Sequence, residues 1–135
     1  MKGRRQILGR WGENLAAQYL QEHGYTILER NVRTPYGEID LVASQDRTAG
    51  VGDLAGDNTG KVIVFVEVKT RRSMTYGLPE ESITPRKRLH LVSSVQAYMQ
   101  AHPELGSDWR IDVVAIQRLS AAQEPEIVLF ENAVA

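Results

Sequence analysis

The strongest pattern of apolar and polar positions is KVIVFVEVKT, Lys61 to Thr70, where six of the first eight residues are apolar and mostly β-branched. Such a run predicts a strand buried on both faces. Around it the periodicity changes from two to 3.6 and back. Gly9 to His23 predicts a helix, with Trp11, Leu15, Ala16, Tyr19 and Leu20 as its apolar stripe and Gly24 as its stop. Tyr25 to Arg33 predicts a strand, Thr34-Pro35-Tyr36-Gly37 a hairpin turn, and Glu38 to Ala43 the returning strand. In that strand Ile39, Leu41 and Ala43 are expected on one face and Glu38, Asp40 and Val42 on the other. Ser44 to Gly60 is glycine-rich and predicts a flexible loop, longer than an antiparallel connection requires. Arg71 to Ser82 predicts another loop. Thr84-Pro85 then marks a helix start, with threonine as cap and proline in the first turn. That helix runs to about Ala101, with Leu91, Val92, Val95, Tyr98 and Met99 facing the core; strands follow at Trp109 to Gln117 and Glu126 to Phe130.

The order α-β-β-β-α-β-β predicts one α/β domain over residues 1–135, with helices against a single mixed sheet. A length of 135 residues and an apolar fraction of 42% suit one ordinary globular core. No apolar run approaches a membrane span, so no membrane partner is expected. The basic start MKGRRQILGR lacks the apolar centre and cleavage site of a secretory signal. The absence of cysteine excludes disulfides, thiolate metal sites and cysteine nucleophiles, and fits a cytoplasmic location.

The net charge of −1 does not by itself suggest a nucleic-acid partner, but its distribution does. Lys2, Arg4, Arg5 and Arg10, then Lys69, Arg71 and Arg72, then Arg86, Lys87 and Arg88 hold ten of the sixteen basic residues. A basic rim on a neutral protein suits a phosphate backbone.

Within this pattern four charged residues sit on core-facing elements. Glu67 and Lys69 end the most apolar strand, two positions apart and therefore on the same face. Asp40 interrupts an aliphatic strand, although aspartate is a poor strand former. Glu13 borders the apolar stripe of the first helix. If the second and third strands pair, Asp40 and Glu67 lie side by side, and two such carboxylates repel unless a cation sits between them. Oxygen ligands without cysteine or histidine favour Mg2+ or Mn2+. Such an ion holds a phosphate oxygen and acidifies water, with Lys69 placed to orient that water and stabilise charge on phosphorus. His23, His90 and His102 are given no role, and no phosphate-loop pattern or Ser-His-Asp arrangement is present.

The motifs Gly12-Glu13, G-E-I-D at Gly37 to Asp40 and F-V-E-V-K-T-R at Phe65 to Arg71 resemble the YraN-like family of small bacterial proteins. Arg30-Asn31, Gly77, Lys87 and Arg110-Ile-Asp-Val extend the likeness, which covers about Gly9 to Ile116. That family is similar to the restriction-endonuclease-like superfamily, and within it to archaeal Holliday-junction resolvases. The resemblance implies that fold, metal-binding roles for Glu13, Asp40 and Glu67, and a catalytic Lys69. The Ser44 to Gly60 loop departs from it in being longer.

The function expected from both lines is Mg-dependent phosphodiester hydrolysis of DNA, on branched or junction structures, with Arg71, Arg72, Lys87 and Arg88 contacting phosphates. Resolving four-way junctions would require a homodimer, because two symmetric cuts need two sites. Two alternatives stand beside it: a non-catalytic nucleic-acid-binding module, and a protein-interaction subunit whose acid-lysine cluster is a structural ion-pair network.

Overall fold

The computed structural model describes residues 4–46, 60–71, 83–118 and 123–133. Helix α1 (Arg4–Glu22) leads into β1 (Tyr25–Thr34), β2 (Gly37–Asp46) and β3 (Lys61–Arg71). Helix α2 (Pro85–Ala101), a single 3-10 turn (Pro103–Leu105), β4 (Trp109–Gln117) and β5 (Glu126–Phe130) complete the order. The strands form one sheet in the order β1-β2-β3-β4-β5. Only β3 and β4 run parallel. Parallel neighbours need a long crossover, and α2 lies within it.

The most apolar strand takes the centre. Ile63, Val64, Phe65 and Val66 of β3 are all buried, alternating between two cores. On one face Ala16, Ala17 and Leu20 of α1 pack on Leu41, Ala43, Val64, Val66, Val114 and Ile116. On the other, Val95 and Tyr98 of α2 pack on Val42, Ile63, Phe65, Ile111 and Val113. A strand covered on both faces has no solvated side, so its sequence does not alternate. At about 1.5–3 kcal/mol for each large buried aliphatic or aromatic side chain, these two layers dominate stability. The α2 start behaves as its sequence predicts: the Thr84 hydroxyl accepts from Lys87 N–H at 3.2 Å, a cap worth about 1 kcal/mol.

Several boundaries differ from expectation. Helix α1 begins at Arg4, before Gly9, and β1 extends through Thr34. Strand β2 continues through Ser44, Gln45 and Asp46, which pair with Ile63, Val62 and Lys61. Their side chains are weak strand formers, yet backbone pairing on both sides overrides propensity, since Tyr25 of β1 also pairs with Gln45. The rest of the expected 44–60 loop, residues 47–59, lies outside the described residues, as do 72–82 of the second loop. Ile39 belongs to the α2-side core with Val42, not to the face of Leu41 and Ala43. The cause is a break in the ladder at the neighbouring residue.

Candidate active site

The β2–β3 ladder runs from Asp46–Lys61 to Leu41–Val66 and stops. One step further the register would set Asp40 opposite Glu67. The backbones part there instead, and the Asp40 carboxylate fills the gap by accepting the Val68 N–H at 2.8 Å. A side chain thus replaces a main-chain acceptor, which keeps a buried donor satisfied. On the β1 side the register shifts between Ile27 and Glu29 and is then constant through Thr34. Arg30 pairs with Leu41 and Val32 with Ile39, while Asn31 between them is twisted to φ 53°. Asparagine is among the few residues that tolerate this left-handed conformation. Asp40 therefore sits just past the end of the β2–β3 ladder, with Leu41 in one core and Ile39 in the other on either side of it.

The left-handed turn at Asn31 brings two consecutive side chains towards α1. Arg30 Nη1 donates to Asn14 Oδ1 at 2.7 Å, and the Asn31 side chain is hydrogen-bonded to the Glu13 carboxylate. Gly12 allows the approach of the helix, because a Cβ at that position would collide with the Thr70 hydroxyl of β3. Glu13 is carried to the strand ends by these contacts, within electrostatic reach of Asp40. Lys69 Nζ lies 3.1 Å from Glu67 Oε1, and both side chains are about four-fifths covered, at 18% and 20% exposed.

Burial first, and then the neighbouring Glu67 carboxylate, push the Asp40 carboxyl up to about 7; the Val68 N–H works against them, and Glu13 and Glu38 add further repulsion. Burial likewise raises Glu13, opposed by its bond from Asn31. Among the described residues Lys69 is paired to the cluster through Glu67, and Arg30 and Arg10 act on Glu13 from the helix side. Among the described residues no three histidine, aspartate or glutamate side chains are gathered tightly enough to hold a metal unaided. The unit assembled is a carboxylate pair with a third carboxylate beside it. That donor set fits Mg2+, which is commonly bound by one or two carboxylates together with water and substrate phosphate.

Of the residues singled out for phosphate contact, Lys87 lines a cavity beside Glu67, and Arg88 is exposed in the first turn of α2. Arg71 is the last residue of β3, and Arg72 lies outside the described residues. The cavity, about 170 Å³, is also lined by Tyr36, Glu38, His90 and Ser94, so His90 stands close to the site despite having no role in the sequence reading. Asn31, Gly12 and Glu38 were equally without an assigned part. Asparagine inside a strand and glycine inside a helix were the available signals, because each is unfavourable where it stands.

A second charged group is separate from these. Asp112, fully buried, is paired with Arg110 at 3.0 Å and accepts the Asn132 N–H at 2.8 Å. Arg110 also donates to the Tyr25 hydroxyl and to Gln45 Oε1. Its donors and acceptors are mutually satisfied, the arrangement of a structural network.

A mixed five-stranded sheet between two helices, with aspartate and Glu-x-Lys on adjacent antiparallel strands and a glutamate from the first helix, defines a protein of the restriction-endonuclease-like fold class. The chain belongs to the uncharacterised protein family UPF0102, whose sequence model matches residues 12–116 and so spans Glu13, Asp40, Glu67 and Lys69. It is 42% identical over 129 residues to a UPF0102 protein of Dehalococcoides mccartyi, covering 96% of this chain and 93% of the relative. A UPF0102 protein of Syntrophomonas wolfei is 50% identical over 109 residues, 81% and 83% of the two chains. One from Roseiflexus castenholzii is 46% identical over 129 residues, 94% and 92%.

Proposed function

We propose that this protein is a Mg2+- or Mn2+-dependent endonuclease that hydrolyses phosphodiester bonds of DNA. The observation behind the reading is that Asp40, just past the last β2–β3 pair, lies beside Glu67, with Lys69 at Glu67. Asp40 and Glu67 hold the ion, and Glu13 holds a water or a second ion from the helix side. A bound divalent cation supplies a grip on a phosphate oxygen and an acidified water. Lys69, beside Glu67, would orient the attacking water and stabilise the charge developing on phosphorus. Lys87 and Arg88 at the start of α2 hold flanking phosphates.

The competing reading is a structural ion-pair network, which the Lys69–Glu67 contact taken alone would satisfy. It accounts for Glu67 and Lys69 but not for Asp40, which burial and the neighbouring Glu67 carboxylate push upward. Calorimetry with Mn2+ separates the two: binding should be seen and should vanish in Asp40→Ala. The enzyme reading is tested on labelled single-stranded, duplex, flap and four-way-junction DNA. Cleavage of at least one substrate, abolished in Glu67→Ala and Lys69→Met, supports it; binding without cutting on the whole panel leaves a nucleic-acid-binding module instead.

A further inference from the structure

The cavity beside Glu67 is built from three elements. The β1–β2 hairpin contributes Tyr36, Gly37 and Glu38, β3 contributes Glu67, and α2 with its lead-in contributes Ile83, Lys87, His90, Leu91 and Ser94. Its hairpin wall is fixed in place. The Thr34 hydroxyl accepts from the Tyr36 N–H at 3.1 Å and donates to the Gly37 carbonyl at 2.9 Å. It is also bonded to the Ser94 hydroxyl of α2 at 3.0 Å, and Ser94 is itself 1% exposed. Tyr36 is thereby held at the rim while remaining 53% exposed.

Size and lining define the guest. At about 170 Å³ the space exceeds the ~150 Å³ of an engineered cavity that admits benzene. That is room for one six-membered planar ring, the size of a pyrimidine. Two ring side chains, Tyr36 and His90, line it from different elements, and both types serve as stacking platforms for bases. Lys87 supplies a phosphate contact, and Glu38 an acceptor for an exocyclic amino group. Glu67 belongs to both the cavity and the acid-lysine cluster, so a base seated here lies within one nucleotide of the phosphate at Lys69.

We infer that this cavity binds a single unpaired nucleotide of a DNA strand next to the phosphate to be cut, its base stacked on Tyr36. The inference rests on the phosphodiesterase reading and names its substrate class: DNA with unpaired nucleotides, such as a single strand or a flap, in preference to continuous duplex. A base inside a duplex reaches such a recess only after leaving its stack, an unfavourable step that a strand already unpaired avoids.

The test measures binding by the full chain with calcium in place of magnesium, so that affinity is read apart from cleavage. The probes are a short fluorescein-labelled single strand and the same strand in a blunt duplex, followed by anisotropy. The single strand should bind at least severalfold tighter. Tyr36→Ala should lose roughly five- to a hundredfold on the single strand, the span associated with one base–aromatic stack. Its affinity for duplex should be unchanged, and Tyr36→Trp should retain single-strand binding. Equal wild-type affinity for the two probes, or full single-strand affinity in Tyr36→Ala, overturns the inference even if the wild type cleaves DNA. Absence of cleavage with Mg2+ and Mn2+ overturns the nuclease reading, and the calcium binding ratio still decides the pocket.

Discussion

Asp40→Asn is the substitution that reports most directly on the cluster. Asparagine keeps the shape and an oxygen to accept the Val68 N–H, so it removes charge and little else. In the native protein the Asp40 carboxyl is held at about 7 against an ordinary 3.8. An acid whose pKa is raised on folding is bound to its proton more firmly in the folded state. Its full contribution to stability is therefore present below about pH 3.8, is lost progressively as pH rises to about 7, and stays lost above that. The gap corresponds to about 4 kcal/mol at 1.36 kcal/mol per unit. Urea unfolding with EDTA present should accordingly find Asp40→Asn more stable than wild type by an amount on the order of 4 kcal/mol near pH 8. The difference should shrink steadily as pH falls from about 7 and vanish below about 3.8. Saturating Mn2+ should stabilise the wild type and leave the variant unmoved, narrowing the gap. A variant less stable than wild type at pH 8, or a difference that ignores pH, would refute the picture of a carboxylate pushed upward at the end of the β2–β3 ladder.

Gly12→Ala should destabilise despite the better helix propensity of alanine, because its Cβ meets the Thr70 hydroxyl; about 1–3 kcal/mol is expected. Adding Thr70→Ala should recover part of that loss in thermal melts. Arg110→Ala strands the buried Asp112 carboxylate and should lower stability by about 3–5 kcal/mol, seen as a shifted urea midpoint with no change in the metal titration. Lys69→Met removes an ion pair whose side chains are about four-fifths covered and should lower stability by about 1–3 kcal/mol, between the exposed and the fully buried case. On whichever DNA the wild type cuts, its rate should fall about a hundredfold or more. Tyr98→Phe breaks the 3.1 Å bond to Glu29 and should cost about 0.5–1.5 kcal/mol, measured by calorimetric melting.

How far the chain's own pattern reached can be followed residue by residue. The β-branched density of Val62 to Val66 already required a strand covered on both sides, and the Thr84-Pro85 start of α2 is local chemistry that needs no partner. Period-2 alternation placed Glu67 and Lys69 on one face, and the 3.1 Å contact between them agrees. Adjacency of Asp40 and Glu67 followed from the hairpin and the antiparallel return, because register in a covered sheet is fixed by its apolar face. Periodicity could not show where that register ends. Asn31 turning left-handed, Ile39 changing sides and the Asp40 side chain capturing the Val68 N–H all belong to a place where the β2–β3 ladder opens. Such an opening is set by the competition between two sheet neighbours and a helix, which no local window contains. Gly12 against Thr70, and Tyr36 and His90 lining one recess, join residues that are far apart in the chain. Short-range propensity and pattern thus determined the elements and the strand bearing the charges. Only tertiary packing decided that α1 brings Glu13 to them, that the Asp40 carboxylate takes the Val68 N–H, and that a hollow opens beside Glu67, because those outcomes depend on surfaces that exist only once the layers have closed.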